Sequence, residues 1–162
     1  MSNESEKIFI ETVQKYERVI YKVCSFYTSK EFPMEDLYQE VIINLWRAFP
    51  RFRNESSIST WIYKISLNTC ISGMRKEKSR PKGLPVTSSL YDSLAETENM
   101  DLHIQEMYQL IHKLKTLERA IILLYLEEKS YQEIADITGL TVNNVAIKLM
   151  RIKEKLKKMS NC

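Results

Sequence analysis

One face of a predicted helix near the C-terminus combines amide and basic side chains that could bind a nucleic acid. At ~100° per residue, one narrow arc of this helix holds Asn144, Lys148, Arg151, Lys155 and Lys158. Amide and guanidinium groups can form paired hydrogen bonds with base edges, and lysine ammonium groups neutralise phosphates. The arc therefore predicts a surface for duplex nucleic acid, and an ordinary amphipathic helix with a solvated basic face is the simpler alternative.

The residues before this helix indicate a helix-turn-helix motif. Ser130 and Glu133 match a capping box, in which each side chain accepts a hydrogen bond from the other residue's amide. Gly139 stands where a helix must end with a positive φ, and Thr141 is suited to cap the next helix. In such motifs the N-terminal part of the second helix faces base edges. The groove-facing residues are therefore predicted to be Asn143, Asn144, Ile147, Lys148 and Arg151, and the phosphate-facing residues Lys155 and Lys158.

The same helix has an apolar stripe on its other side. We expect this stripe to be buried, and its members are Val142, Val145, Leu149, Ile152, Leu156 and Met159. The division into one buried and one basic face is what a recognition helix requires.

Acidic side chains lie one helical turn apart on another predicted helix. Asp36, Gln39 and Glu40 form a small patch that could contact a basic partner, do acid–base chemistry or simply face solvent. No nucleophile accompanies the carboxylates in a recognisable motif, and the three cysteines lack the spacing of a metal site. We therefore expect no metal and no cofactor, and an enzyme with catalytic N-terminal carboxylates is an alternative that these residues argue against.

The low content of breakers, with Gly 3 and Pro 4, favours long helices and an all-α fold. Apolar steps of three and four predict helices at about Ser5–Tyr27, Pro33–Pro50, Ser59–Lys78, Leu102–Lys113, Leu117–Glu127, Tyr131–Thr138 and Val142–Lys158. The segment between the third and fourth helices contains Pro and Gly and is then acidic. We therefore predict two small helical domains, 1–80 and 102–162, joined by a flexible linker at 81–101, with the helix-turn-helix in the C-terminal domain.

Basic residues are concentrated in two stretches, although the formal net charge is only +3. Residues 59–83 hold six basic side chains against one acidic, and residues 141–162 also hold six against one. Two such stretches predict two contacts with polyanions, or two solvated helix faces. No apolar run reaches the ~18 residues that span a bilayer, and the N-terminus has no signal pattern. A cytoplasmic protein without membrane insertion is therefore expected.

Three ordered motifs resemble the extracytoplasmic-function (ECF) sigma factors, the minimal promoter-recognition subunits of bacterial RNA polymerase. Ser130-Tyr-Gln-Glu-Ile-Ala135 with Gly139-Leu-Thr-Val is similar to the family's C-terminal domain, which recognises the upstream promoter element. Asp36-Leu-Tyr-Gln-Glu-Val41 with Leu45-Trp-Arg-Ala-Phe49 is similar to the helix that binds the polymerase β′ clamp. Phe52-Arg-Asn-Glu-Ser-Ser57, Thr60-Trp-Ile-Tyr-Lys-Ile65 and Asn68 resemble the segment that melts and recognises the minus-ten element.

The resemblance implies roles and partners for particular residues. The polymerase contact would consist of Asp36, Gln39, Glu40 and Trp46. The downstream-element contact would consist of Arg53, Asn54, Ser56, Ser57 and Asn68, with phosphate contacts from Arg75, Lys76, Lys78 and Arg80. The implied partners are core RNA polymerase, promoter DNA and an anti-sigma factor. Ala146-Ile147-Lys148 departs from the family's usual Lys-Ser-Arg, so the resemblance implies no promoter sequence.

Several alternatives stay open at the level of the sequence. Trp61 is expected in the core, with a stacking platform as the alternative, and Asn68 could pack between helices instead of contacting a base. The loop from Arg53 to Ser57 could be a plain polar turn. The alternative function is a self-sufficient helix-turn-helix repressor or activator, although such a regulator has no use for a strand-opening module.

Overall fold

The computed structural model describes residues 2–78 and 102–161, without the side chains of residues 74–78. Throughout these ranges the regular structure is helical and contains no strand, which confirms the predicted all-α fold. The chain divides into two compact units. The first holds α1 (Asn3–Lys15), α2 (Glu17–Tyr27), α3 (Met34–Ala48), a 3-10 turn (Phe49–Arg51) and α4 (Ile58–Lys78). The second holds α5 (Leu102–His112), α6 (Thr116–Leu126), α7 (Tyr131–Thr138) and α8 (Val142–Ser160). The predicted linker, 81–101, lies outside the described residues.

The prediction of one continuous helix over Ser5–Tyr27 is wrong, because the chain forms α1 and α2 with a break at Tyr16. This residue has φ −105° and ψ 16°, and it ends α1 and precedes α2. The hydroxyl of Thr12 donates to the carbonyl of Ile8 at 2.8 Å, a contact that often bends helices. The apolar stripe nevertheless continues across the break, since Phe9 and Ile20 are both buried. Periodicity alone therefore could not reveal it.

Helices α2, α3 and α4 pack against one another and form the core of the first unit. The side chains with at most 1% exposure include Ile20, Val23, Cys24, Leu37, Val41, Leu45, Ile62 and Cys70. Burial of each large aliphatic side chain contributes about 1.5–3 kcal/mol. A polar contact also joins α3 to α4, where Asn44 donates to the Thr69 hydroxyl at 2.9 Å. That hydroxyl donates in turn to the carbonyl of Ile65 at 2.7 Å, so α4 is held with one definite face toward solvent.

Aromatic rings from α1, α3, the 3-10 turn, the residue that follows this turn and α4 form a second cluster in the first unit. The centroid of the Phe9 ring lies 5.0 Å from that of Trp46 and 5.3 Å from that of Phe49. The Trp61 ring lies 5.0 Å from Phe52 and 6.2 Å from Phe49. These separations are typical of favourable edge-to-face and tilted pairs. Trp61 is half-buried among these rings, so it lies at the edge of the core and not fully inside it as expected.

Helix α6 is the centre of the second unit and packs against α7 and α8. Ile121, Leu123 and Leu124 are fully buried. The buried guanidinium of Arg119 donates to the carbonyl of Leu114 at 3.0 Å and to that of His112 at 2.7 Å. These bonds satisfy a charge that would otherwise be costly to bury, and they tie the end of α5 to α6.

The predicted buried stripe of α8 is observed over most of its length. Val145, Leu149 and Ile152 are at most 1% exposed, while Leu156 and Met159 are half-buried. The prediction is wrong for Val142, whose side chain is 40% exposed. Val142 is the first residue of α8, and the stripe contacts the rest of the unit only from the next turn onward.

Candidate nucleic-acid and polymerase interfaces

Helices α7 and α8 form the predicted helix-turn-helix. Both ends of α7 and the N-terminal end of α8 are capped. The Glu133 amide donates to the Ser130 hydroxyl at 3.1 Å, and the Ser130 amide donates to the Glu133 carboxylate at 3.2 Å. These two contacts with Ser130 hold the pKa of Glu133 below its ordinary value. Gly139 ends α7 with φ 80°, a conformation that glycine adopts without strain. The Thr141 hydroxyl then accepts from the Asn144 amide at 3.1 Å and begins α8.

The N-terminal turns of α8 present the side chains that were predicted to face the groove. Asn143, Asn144 and Arg151 are exposed, while Ile147 and Lys148 are half-buried. Two amides and a guanidinium therefore project from a helix whose opposite side is locked into the core of the unit. A rigid helix with projecting amide and guanidinium groups can form paired hydrogen bonds with base edges.

The two residues predicted to face phosphates differ in their surroundings. Lys158 is exposed near the C-terminal end of α8. Lys155 is half-buried, and its ammonium group lies 3.1 Å from the carboxylate of Glu118 on α6. The basic arc therefore includes one lysine whose charge already has a partner within the unit.

A lysine that the sequence analysis did not assign lies on the other flank of α8. The ammonium group of Lys153 lies 4.0 Å from the centroid of the Tyr125 ring. Its contact with the Tyr125 hydroxyl raises the pKa of Lys153 above its ordinary value. The sequence pattern of α8 could not predict this contact, because Tyr125 and Lys153 are on different helices.

The loop before α4 presents the side chains that were predicted to contact the downstream element. Arg53, Asn54, Ser56 and Ser57 are all exposed. Asn54 has φ 58°, a left-handed conformation that asparagine tolerates better than most residues. The Ser57 hydroxyl accepts from the Thr60 amide at 3.1 Å, so Ser57 also caps α4. The sequence analysis missed this structural role of Ser57.

The exposed face of α4 continues from this loop toward the C-terminal end of the helix. Asn68 is exposed, which argues against the alternative that it packs between helices, whereas its neighbour Thr69 is buried. Lys64, one turn before Asn68, is also exposed and was not among the predicted site residues. Its spacing of four residues from Asn68 could have predicted that the two side chains share one face of α4. The side chains of Arg75, Lys76 and Lys78 lie outside the described part of the chain, and so does all of Arg80.

Helix α3 presents an acidic face that also carries two large apolar side chains. Asp36, Gln39 and Glu40 are exposed, as the predicted polymerase contact requires. Ile43, three residues after Glu40, is 47% exposed, although the sequence analysis did not select it. Trp46 is 36% exposed, because one side of its ring packs on Phe9. Charged and large apolar groups therefore share one accessible helix face, which is a common composition for a protein interface.

Two negative findings apply to the described ranges, 2–78 and 102–161. No helix there is both long enough and apolar enough to cross a membrane. No cluster of three or more His, Cys, Asp or Glu side chains there is arranged to hold a metal ion.

Comparisons with known proteins match both units. The family model for sigma-70 region 2 matches residues 12–80, and the model for sigma-70 region 4 matches residues 104–156. RNA polymerase sigma factor YlaC of Bacillus subtilis is 31% identical over 132 residues, which cover 76% of this chain and 75% of the relative. The ECF RNA polymerase sigma-E factor of Haemophilus influenzae is 29% identical over 162 residues, which cover 92% of this chain and 85% of the relative.

Solved structures share the fold. The sigma factor RpoE of Bartonella quintana, in complex with the anti-sigma factor NepR, matches with a TM-score of 0.73 at 20% identity. The match covers 96% of this chain and 98% of that chain. CnrH, in complex with the cytosolic domain of CnrY, matches with a TM-score of 0.66 at 21% identity.

The two region matches and the relative that is 31% identical define the class of the protein: it is a sigma-70-type sigma factor, a promoter-recognition subunit of RNA polymerase. Within that class the chain belongs to the ECF sigma factors, and it directs transcription initiation. Proteins of this family are not enzymes. A self-sufficient repressor or activator receives no support, because the first unit matches sigma-70 region 2.

Proposed function

We propose that this sigma factor divides promoter recognition between its two units. The C-terminal unit binds the upstream, minus-thirty-five element as duplex DNA through α8. The N-terminal unit binds the polymerase β′ clamp through α3, and it melts and recognises the downstream, minus-ten element through α4 and the loop before it. The boundaries proposed for these domains are 1–80 and 102–162, with a linker at 81–101.

The observation that carries this proposal is the capped helix-turn-helix with its projecting amide and guanidinium groups. Asn143, Asn144 and Arg151 are exposed on a helix that Val145, Leu149 and Ile152 fix to the unit. Base recognition requires donors that are accessible and rigidly held, and α8 supplies both.

The proposed downstream contact is supported by the exposed polar loop and by the accessible face of α4. Single-stranded readout needs hydrogen-bonding groups that can reach an unstacked base. Arg53, Asn54 and Asn68 supply guanidinium and amide groups on the surface. Phosphate contacts are assigned to Arg75, Lys76, Lys78 and Arg80 from the sequence alone.

The proposed partners are core RNA polymerase, promoter DNA and an anti-sigma factor. Both solved structures named above are complexes, and one of them is of a sigma factor with the anti-sigma factor NepR. We extend such a partner to this chain because it shares their fold. The protein is proposed to act in the cytoplasm, where polymerase and promoters are found, and to need no cofactor, because the polymerase holds the active site.

Run-off transcription by core polymerase tests the proposal. Templates are drawn from a library randomised over both promoter elements, and transcripts are compared with and without the protein. We expect template-specific transcripts only with the protein present, and Arg151→Ala and Asn68→Ala should each reduce them. Specific DNA binding without any gain in transcription would instead indicate a self-sufficient regulator.

A further inference from the structure

The recognition helix is tied to α6 by a charged contact between residues that are far apart in the chain. The Lys155 ammonium group donates to the Glu118 carboxylate at 3.1 Å. The Lys155 side chain is 41% exposed and that of Glu118 is 25% exposed. A pair with one partly buried member is screened less by salt than a fully exposed pair.

The Glu118 carboxylate is itself held in place from its own helix. It accepts a hydrogen bond from the backbone amide of Lys115 at 2.9 Å, at the start of α6. Burial acts to raise the pKa of Glu118, but the amide of Lys115 and the ammonium group of Lys155 outweigh it, so the pKa lies below its ordinary value. The carboxylate is therefore a fixed, charged acceptor at neutral pH.

Lys155 lies where a change in the angle of α8 would have its largest effect on the base-facing residues. Lys155 is eleven positions after Asn144, which corresponds to about 16 Å along the helix. A rotation of ~5° about Lys155 would displace Asn144 by about 1.4 Å, enough to break a hydrogen bond whose useful range is a few tenths of an ångström.

We infer that Lys155 is a positioning residue for promoter recognition and not a phosphate contact, and that its pairing with Glu118 fixes the angle of α8 together with the buried Val145, Leu149 and Ile152. This inference rests on the proposed function of α8 in binding the upstream element. The pair has a second consequence: Glu118 neutralises the charge of Lys155, so this charge is not available to a DNA phosphate. Lys155 would then contribute to sequence discrimination without contributing to the salt dependence of binding.

Two single variants and their combination test the inference. Lys155→Met keeps the unbranched side chain to within one atom of its length and removes its charge, while Glu118→Gln keeps an acceptor for the Lys115 amide. Each full-length variant is assembled with core polymerase, and its affinity is measured on duplexes with a selected or a scrambled upstream element over a range of salt concentrations. Circular dichroism melting curves check that each variant is folded.

The expected results separate positioning from phosphate binding. Lys155→Met should lower the selected-to-scrambled affinity ratio by at least about fivefold, the size of one lost base contact, and leave the salt slope unchanged. Glu118→Gln should lower the same ratio but steepen the slope by about one unit, because the freed ammonium group becomes available to a phosphate. The double variant should have the same lowered affinity ratio as each single variant, and its salt slope should equal that of the wild type.

Lys158→Met is the matched control, since it removes an exposed lysine from the same helix. It should reduce the magnitude of the salt slope by about one unit and leave the affinity ratio unchanged. If Lys155→Met behaves in the same way as Lys158→Met, the inference is overturned and Lys155 is a phosphate contact. If the wild-type holoenzyme shows no preference for any upstream sequence, the proposed function of α8 fails as well, which is a distinguishable result.

Discussion

At the scale of single residues, Arg151 and Lys158 illustrate two ways in which a basic side chain can contribute to binding. Both are exposed on α8, but Arg151 lies two turns nearer the capped N-terminal end, which is the end proposed to face the groove. A guanidinium group can form two hydrogen bonds with one guanine, whereas an ammonium group on a phosphate is insensitive to sequence. Their substitutions should therefore have different signatures.

We predict that Arg151→Ala relaxes the preference at particular base pairs of the upstream element, each worth about 1–3 kcal/mol. Lys158→Ala should weaken binding to all sequences by a similar factor and reduce the salt slope by about one unit. Affinity measurements on a randomised duplex library distinguish the two effects. Equal losses across the library for both variants would contradict the assignment of Arg151 to base edges.

The buried thiols of the first unit give a prediction about reactivity. Cys24 and Cys70 are both fully buried. A hydrogen bond with Cys24, together with burial, raises the pKa of the Cys70 thiol well above its ordinary value. A raised thiol pKa stabilises the folded state below the ordinary thiol pKa, and this contribution is lost as the pH rises above it, because only the unfolded thiol then ionises. Alkaline conditions should therefore destabilise this unit.

In a Cys162→Ser background, we expect a thiol reagent to label neither Cys24 nor Cys70 at pH 8 until the chain unfolds. The thiolate is the reactive form, and both burial and the raised pKa of Cys70 disfavour it. Mass spectrometry over a denaturant series measures the labelling. Rapid labelling of both thiols without denaturant would show that the packing of α2 on α4 opens readily.

The sequence was sufficient to predict which residues of α8 are accessible, but not which of them contact residues far away in the chain. Asn143, Asn144 and Arg151 could be placed on the surface because helical periodicity fixes which side of α8 is buried. The partner of Lys155 could not be predicted, because Glu118 is 37 residues away and the contact depends on how α6 meets α8. Ile43 was missed for another reason: an apolar side chain at helical spacing is more often buried than exposed.

At the scale of elements, the sequence predicted helix ends correctly where they depend on contacts between residues close together in the chain. The capping box at Ser130, the left-handed Gly139 and the cap at Thr141 are all observed. The break at Tyr16 was missed because it depends on the bending contact of Thr12 and on packing, neither of which changes the apolar period. A helix end with its own capping residues can be predicted, while a bend within a continuous stripe cannot.

Helix α3 gives a prediction at this scale. Asp36→Lys combined with Glu40→Lys should abolish binding to core polymerase, because the exposed acidic face would then repel a basic partner. The fold should survive, since both side chains are exposed on a helix whose other face is buried. A pull-down with core polymerase measures binding, and circular dichroism checks the fold.

The matched control for this charge reversal is Glu6→Lys with Glu11→Lys. Both residues are exposed, and the pair makes the same change of charge on α1. The control should bind polymerase normally. Loss of binding in both double variants would indicate a general effect of net charge, and undiminished binding by the α3 variant would remove the proposed clamp contact.

At the scale of the whole molecule, the proposed function requires the two units and the polymerase to act together in promoter opening. Melting costs roughly 1.4 kcal/mol per base-pair step in lost stacking, so a single captured base can offset only part of the cost. In the proposed function, tight binding of the upstream duplex and the polymerase would keep the downstream DNA beside α4, where an extruded base would be captured. The order of the two region matches along the chain agrees with this division.

Asn68→Ala and Asn54→Gly should therefore leave polymerase and upstream binding intact while reducing open-complex formation on fully paired DNA. Glycine retains the left-handed conformation at position 54, where φ is 58°, and removes only the amide side chain. Permanganate footprinting measures the opening. Ser57→Ala makes a poorer test, because it also removes the cap of α4 at a cost of about 0.5–2 kcal/mol.

A template mismatched across the downstream element separates base capture from melting. Because no base pairs need to be broken there, it should restore much of the activity of both variants, yet their preference at the captured base should stay relaxed. Ser72→Ala, at an exposed position one turn further along α4, serves as the control and should open paired DNA normally. If both asparagine variants also open paired DNA normally, Asn68 has no role in base capture, and the exposed loop before α4 is a plain turn.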